Sequence, residues 1–443
     1  MADRAVGGAP RAARVLLVSA NRERLPQPVA PLGVLYVAAA LRPRCDVEVL
    51  DLCFEPDPHE ALRRRLAASC PDVVGLALRN LHDNAYRDPA ALVAEYAALA
   101  EVIRAASSAT LVLGGAGFSL QPERLMATLG ADHGVVGEGE RAMLELVEAL
   151  SRGERPPRLV SADAVAGAPV RLGAARGDVL DALAPPLRDL ADPRYLAFDG
   201  TANVQTKRGC PFTCAYCDYP DLEGRKVRKR SPSRVADEVA ALAVTPGVSH
   251  VFFVDSVFNV PRSHAREICH ELAARGAPLP WVAYVTPLGL DDELAAAMAA
   301  GGSVGVELGT DTGTEAGLLR LRKPFSLADV RRATSALRAA GVRDCHTFVL
   351  GAEGETLDEV RRTIDLADSL DPALAVFLVF TEDREARAVG PASNREQILR
   401  LLADVAPRRR GFVVPELGVR FGPKITRLVE ARGLRGPSWL HLR

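Results

Sequence analysis

Cys210, Cys214 and Cys217 stand at C-x3-C-x2-C spacing in "KRGCPFTCAYCDYP", with Pro211 after the first and Tyr216 directly before the last. Thiols crowded in this way hold a metal ion, hold a cluster or form a disulfide. A structural zinc ion takes four protein ligands. No fourth cysteine or histidine is close, the nearest histidine in the sequence being His250. A disulfide would leave one of the three thiols over, and eight cysteines in 443 residues are too sparse for a secreted disulfide scaffold. An iron–sulfur cube bound by three thiolates leaves one iron open to a substrate or cofactor. The spacing favours the cube over the other two. Cys45, Cys53, Cys70, Cys269 and Cys345 stand singly among apolar neighbours and read as small buried hydrophobes.

A reactive loop needs rigid elements to hold it, and the chain supplies two α/β halves. Over 14–150, short runs such as "RVLLVSA", "DVEVLDL", "DVVGLAL", "ATLVLGG" and "HGVVGEG" alternate with segments whose apolar residues recur at helical spacing. That alternation predicts a doubly wound, Rossmann-like parallel sheet. Ligands of such sheets bind at the strand carboxyl ends, which here are the loops 19–31, 79–83, 114–119 and 137–140. Residues 151–200 are rich in proline and read as a linker. From 201 to 385 a second alternation begins, with strands at "ANVQTKR", "VSHVFFVDS", "PWVAYVT", "SVGVELG", "DCHTFVLG" and "ALAVFLVF". Six such units predict a partial (β/α)6 barrel with its chemistry at the strand ends, and the cysteine loop follows the first strand. Residues 1–13 read as a flexible leader and 386–443 as a C-terminal extension.

The 55 basic and 56 acidic residues nearly cancel, so neither nucleic acid nor an anionic membrane is the expected partner. With 48% of residues hydrophobic a substantial core is expected. No apolar run approaches the roughly 20 residues of a spanning helix, and the chain reads as cytoplasmic.

The cysteine spacing after a first barrel strand, with Tyr216 before the third thiol, resembles the radical S-adenosylmethionine (SAM) superfamily. The resemblance implies a [4Fe–4S] cluster on Cys210, Cys214 and Cys217, with SAM on the open iron. SAM would then be cleaved to a 5′-deoxyadenosyl radical. It also assigns strand ends. "FFVDSVFN" puts Asp255, Ser256 and Asn259 near the SAM methionine end or the substrate. "GVELGTDTGTEAGLLRLRKPF" resembles the family's fourth-strand stretch and makes Glu307 a SAM ribose or amino contact. "FVLGAEGET" resembles the family's adenine-contacting stretch, through Val349, Gly351 and Glu353, with Tyr216 leaning on the adenine. His346 reads as a core histidine.

"APLGVLYVAAAL", "VVGLALRN" and "GGAGFSLQPERLMATLGADHGVVGEGE" resemble the cobalamin-binding-domain subgroup of that superfamily. The histidine-on motif D-x-H-x-x-G is absent after the first strand, so the resemblance leaves cobalamin open. Gly114, Gly115 and Gly117 would either admit a corrin or form a tight turn. Arg79, Asn80 and Asp83 would meet a corrin or the other domain. Two reactions compete. One is radical dehydration of a hydroxylated substrate, resembling the aminoglycoside diol dehydratases of antibiotic biosynthesis. The other is cobalamin-dependent methylation. The polar mouth (Asp218, Tyr219, Asp255, Asn259, Tyr284, Thr286, Asp311) suits a hydroxylated molecule and tips the expectation to dehydration. Tyr216, Tyr219, Tyr284 and Asp255 are the candidate acids and catalytic groups. A small-molecule substrate, reduced flavodoxin or ferredoxin as electron donor, and a separate reductase complete the implied partners.

Overall fold

The computed structural model describes residues 12–81, 89–161, 180–380 and 393–442. Most of the expected leader and Asp83 lie outside these. The first half is a six-stranded parallel sheet of β1 (Arg14–Ser19), β2 (Asp46–Asp51), β3 (Val73–Ala77), β4 (Thr110–Gly114), β5 (His133–Val136) and β6 (Leu159–Ser161), in the order β2-β1-β3-β4-β5-β6. Its central strands are apolar on both faces because helices cover both. Leu16 and Val18 of β1 join one buried cluster, while Val15 and Leu17 join the other. Chain connections leave β1 and β3 in opposite directions, so a crevice opens at their carboxyl ends. One correction concerns 151–200. Its start holds β6, which pairs in parallel with β5, and Arg194–Phe198 is a helix.

The second half carries β7 (Thr201–Val204), β8 (Lys207–Arg208), β9 (Arg228–Lys229), β10 (His250–Phe253), β11 (Trp281–Val285), β12 (Ser303–Asp311), β13 (Arg343–Leu350), β14 (Leu374–Val379) and β15 (Phe412–Val413). Seven of these form one parallel sheet in the order β15-β14-β13-β12-β11-β10-β7, an open barrel whose end strands do not pair. The expected strand "ANVQTKR" is broken. It leaves the sheet after Val204, and Lys207–Arg208 begin a separate antiparallel ribbon with Arg228–Lys229. That ribbon brackets the cysteine loop.

The barrel's inner face begins with an apolar floor. Phe252, Val282, Cys345, Leu374 and Val413 pack there with Trp439 and Leu440 from the short helix Ser438–His441. A Cβ on Gly305 would lie 2.5 Å from the Trp439 ring, so β12 needs glycine there for the plug to seat. The region expected as an extension therefore supplies a seventh strand and closes the lumen from below. Cys70 departs from the buried-cysteine expectation and is exposed, at a helix C-terminus. Among the described residues no helix is long and apolar enough to cross a membrane.

Candidate active site

The three cysteines lie together on the loop between β8 and β9. Cys210 is buried and Cys214 and Cys217 are half-buried. Backbone bonds pin the loop at both ends and in the middle. Cys210 N–H donates to the Gly224 carbonyl at 3.0 Å, Ala215 N–H to Leu321 at 3.0 Å and Cys217 N–H to Cys214 at 3.2 Å. Gly209 sits at φ +91°, and a Cβ there would come within 2.2 Å of the Lys226 carbonyl. The turn into Cys210 therefore requires glycine.

Beside the thiols lies a group the sequence reading missed. Lys323 Nζ donates to the Tyr216 hydroxyl at 2.9 Å and ion-pairs with Asp311, while Tyr216 donates to Asp311 Oδ1 at 2.8 Å. Burial pulls the Lys323 ammonium below its ordinary pKa, and the neighbouring thiols of Cys214 and Cys217 pull it back up. Burial, then the charge of Cys214 and Cys217, pushes the Tyr216 phenol above its ordinary range. Tyr216 is thus wedged between the loop and β12, with the Phe380 ring edge-on at 6.2 Å. Lys323 lies in the stretch "LLRLRKPF" that follows Glu307, where nothing in the sequence separates it from the neighbouring Arg320 and Arg322.

Two mouth residues are consumed internally. Asp255 accepts four hydrogen bonds: from Thr206 N–H at 2.7 Å, Thr206 Oγ1 at 2.5 Å, Lys207 N–H at 3.2 Å and Lys207 Nζ at 3.0 Å. Both Asp255 and Lys207 are about 1% exposed. Asp255 therefore clamps the departure of the ribbon from the sheet and presents no free oxygen to a cofactor or substrate. Asn259 is likewise saturated by Thr286 and Leu288 of the next strand end. Ser256 is half-buried and takes no part in the Asp255 clamp. At the fifth strand end, Gly351 N–H already donates to the buried Glu355 carboxylate at 2.5 Å, so that amide is not free for an adenine. Glu353 is exposed to solvent, and Val349 is half-buried. His346 is fully buried against Thr310 and Asp344, a core histidine as expected.

Glu307 and Tyr284 face each other across β11 and β12, where they are register partners. Tyr284 shows 40% of its surface, and the Phe252 ring of the floor packs against it at 4.9 Å, so its open side faces the barrel lumen. Glu307 alone raises the Tyr284 phenol most, ahead of burial. Burial lifts Glu307 to about 7, with the Trp439 indole on the floor drawing it the other way, although that N–H makes no well-formed bond. Glu307 lies four residues below Asp311 on β12, about 13 Å down the strand. Tyr219, 39% exposed, opens the helix Tyr219–Glu223 after the cysteine loop; burial and Glu223 push its phenol to about 12.

A cavity of about 410 Å³ lies between the two halves. One wall is the carboxyl end of the first sheet, with Ser19, Asn21, Gly33 and Gly114; the other is Gln205, Arg208, Tyr219 and Glu223 beside the cysteine loop. Gly115 and Gly117 are spent on packing, since a Cβ on either would strike the Leu78–Asn80 backbone. Gly33, by contrast, has nothing within 4 Å of its Cβ position, and Gly114 only the Val135 carbonyl at 3.8 Å. The mostly aliphatic wall, with glycines opening onto empty space, fits a broad flat ligand such as a corrin. The three thiols on one pinned loop suit a cluster, although among the described residues no three His, Cys, Asp or Glu side chains are already gathered as a metal site.

Comparison with known proteins agrees with both readings. Residues 204–367 match the Radical SAM superfamily and residues 18–147 the B12 binding domain. The chain is 27% identical to an uncharacterised methyltransferase of Pyrococcus horikoshii over 79% of this chain and 76% of that one. It is 27% identical to tryptophan 2-C-methyltransferase of Streptomyces laurentii over 81% and 71%. Its fold superposes, with a TM-score of 0.81 at 22% identity, on a radical SAM methyltransferase of Kitasatospora setae solved with cobalamin and a [4Fe–4S] cluster, covering 98% and 97% of the two chains. A Radical SAM domain implies a [4Fe–4S] cluster and SAM as cofactors. The chain thus carries a B12 binding domain over residues 18–147, followed by a Radical SAM domain over residues 204–367.

Proposed function

We propose that the chain is a cobalamin-dependent radical SAM methyltransferase acting on a small organic molecule. The observation that carries this reading is the cavity at the strand ends of the first sheet, whose far wall is the base of the cysteine loop. Relatives over most of the chain bear methyltransferase names, which supports the same reading. Dehydration loses its main support, because Asp255 and Asn259, expected to meet substrate hydroxyls, are saturated inside the protein.

When bound, the cluster, SAM and a corrin supply an electron, a methyl group and its carrier. The protein's own groups do the rest. Cys210, Cys214 and Cys217 hold the cluster, and the Lys323–Asp311–Tyr216 triad fixes their loop against β12. The Trp439 plug and the packed strand ends exclude water from below. Replacing a substrate hydrogen by methyl releases a proton, and Glu307, held near 7 in an enclosed lumen, is suited to accept it. Tyr284 beside it orients that carboxylate or hydrogen-bonds the substrate. The reducing electron comes from an external donor of the reduced flavodoxin or ferredoxin class.

The test is anaerobic reconstitution with iron, sulfide and cobalamin, then desalting, visible spectroscopy and incubation with SAM, reductant and candidate aromatic and amino substrates. Retained corrinoid and S-adenosylhomocysteine formation support methylation. Production of 5′-deoxyadenosine alone, with no corrinoid retained, would sink it in favour of hydrogen abstraction and dehydration. Alanine at any of the three cysteines should remove the iron and both products.

A further inference from the structure

The ribbon that leads into the cysteine loop is held by the B12-binding domain. Arg208, two residues before Cys210, is 6% exposed and reaches across to the turn after β5 and the start of the helix Gly139–Ser151. Its guanidinium bonds Glu140 Oε1 at 2.5 Å and Glu138 Oε2 at 3.0 Å, and it lies over the Tyr36 ring at 5.5 Å. Arg228, its register partner on β9, binds the other oxygen of Glu138. Gln205 steadies the Arg208 Nε–H at 2.9 Å and also donates to Glu223, whose second oxygen accepts Gly209 N–H at 3.0 Å. Gly137, Glu138, Glu140, Tyr36, Gln205, Arg208 and Glu223 all line the cavity.

We propose that Arg208 is a positioning residue that couples occupancy of the cavity to the set of the cysteine loop, so that corrin binding and cluster binding reinforce each other. The physical basis is that two arginines and two glutamates meet at low exposure, 7–18% of each side chain, so losing one partner leaves a poorly hydrated charge and segment 137–140 is tied to the ribbon. A ligand filling the cavity presses on the carboxylate side of this clamp, and the loop that begins at Gly209 hangs from its guanidinium side. By linkage the effect is reciprocal. The fork of an arginine, engaging two carboxylates at once, is what a lysine at 208 would not reproduce.

This inference rests on the cobalamin reading of the cavity, and the experiment separates the two. Cobalamin affinity is measured by anaerobic titration on two preparations of the same chain, one with the cluster reconstituted and one iron-free. The wild-type chain should bind corrinoid more tightly with the cluster present, by about 5-fold or more, the lower range of typical coupling energies. In Arg208→Met and Glu140→Gln that ratio should fall towards one, with iron and sulfide content of the reconstituted protein retained, and Arg208→Lys should restore it only in part. A purely structural clamp would weaken both affinities equally and leave the ratio unchanged, which overturns the proposal. A wild-type ratio of one overturns it too. Absence of any corrinoid binding would defeat the proposed function and the coupling together. Should one variant fail to fold, the other carries the same measurement.

Discussion

At the scale of single residues, the site separates charges that are spent from charges that are free. Asp255 looks catalytic in sequence because a carboxylate at a barrel strand end reads as a site residue, but nothing in sequence reveals that Lys207 will be folded under it. Removing one partner of so buried a pair leaves the other charge without a partner, at a cost of about 3–5 kcal/mol. Asp255→Ala should therefore lower unfolding stability by that order in denaturant titration. A variant as stable as the parent that fails to bind SAM would return Asp255 to the cofactor. Glu307 behaves in the opposite way. Its folded pKa of about 7 lies above the ordinary 4.5, so the folded state holds a proton that the unfolded state gives up. Stability is then highest at acid pH, falls as pH rises between those two values, and is fully reduced above about 7. Glu307→Gln should abolish that slope and gain on the order of 2 kcal/mol at pH about 8, with little change at pH about 4. Equal slopes in parent and variant, measured by denaturant unfolding across that window, would contradict the assignment.

At the scale of elements, the cysteine loop is a tight turn set on a two-stranded ribbon, and its geometry hangs on Gly209. Gly209→Ala would press a Cβ into the Lys226 carbonyl and force an L-residue to φ +91°. The expected result is loss of most reconstitutable iron with little change in far-ultraviolet circular dichroism, since ribbon and loop are a small part of the backbone. Full iron uptake would show that the turn relaxes. The ribbon was the least legible element in sequence. "NVQTKR" has the apolar start and β-branched residues of a strand, but whether a strand continues or peels away depends on tertiary partners, here the Asp255 clamp and the Glu138–Arg228 pair. The other barrel strands were legible within one to three residues because most of their residues are buried and most are β-branched or apolar. Thr356 and Ser326, each closing a capping box with the acid three residues on, show how strongly the helix starts are written. The cysteines were legible from spacing alone. Lys323 and Arg208 were not, since a basic residue in a polar loop reads as solvated until the fold buries it.

At the scale of the molecule, the two sheets present their carboxyl ends to one shared cavity, and the C-terminal segment ties the halves together. Ser438 N–H donates to Gln27 at 3.0 Å, Gly436 N–H to Asp199 at 2.7 Å, and Arg343 binds the Leu440 carbonyl. The short strands β6 and β15 and the Trp439 plug escaped sequence reading for one reason: each is only a few residues long and pairs with a neighbour that already exists, so it needs little periodicity of its own. The same architecture permits a separation of function that a single-domain site would not. Gly33 lies in the first turn of the helix Leu32–Leu41 and lines the cavity with nothing near its Cβ position. Gly33→Leu would put an isobutyl group into that space without straining the backbone or touching the cysteine loop. Corrinoid affinity should fall by about 10-fold or more, a displacement of roughly 1.4 kcal/mol. Iron content and thermal unfolding should stay near the parent, because leucine is a better helix former than glycine. If the variant binds corrinoid as the parent does, the ligand lies elsewhere; if it loses iron as well, the two sites are joined more tightly than the Arg208 clamp alone would make them.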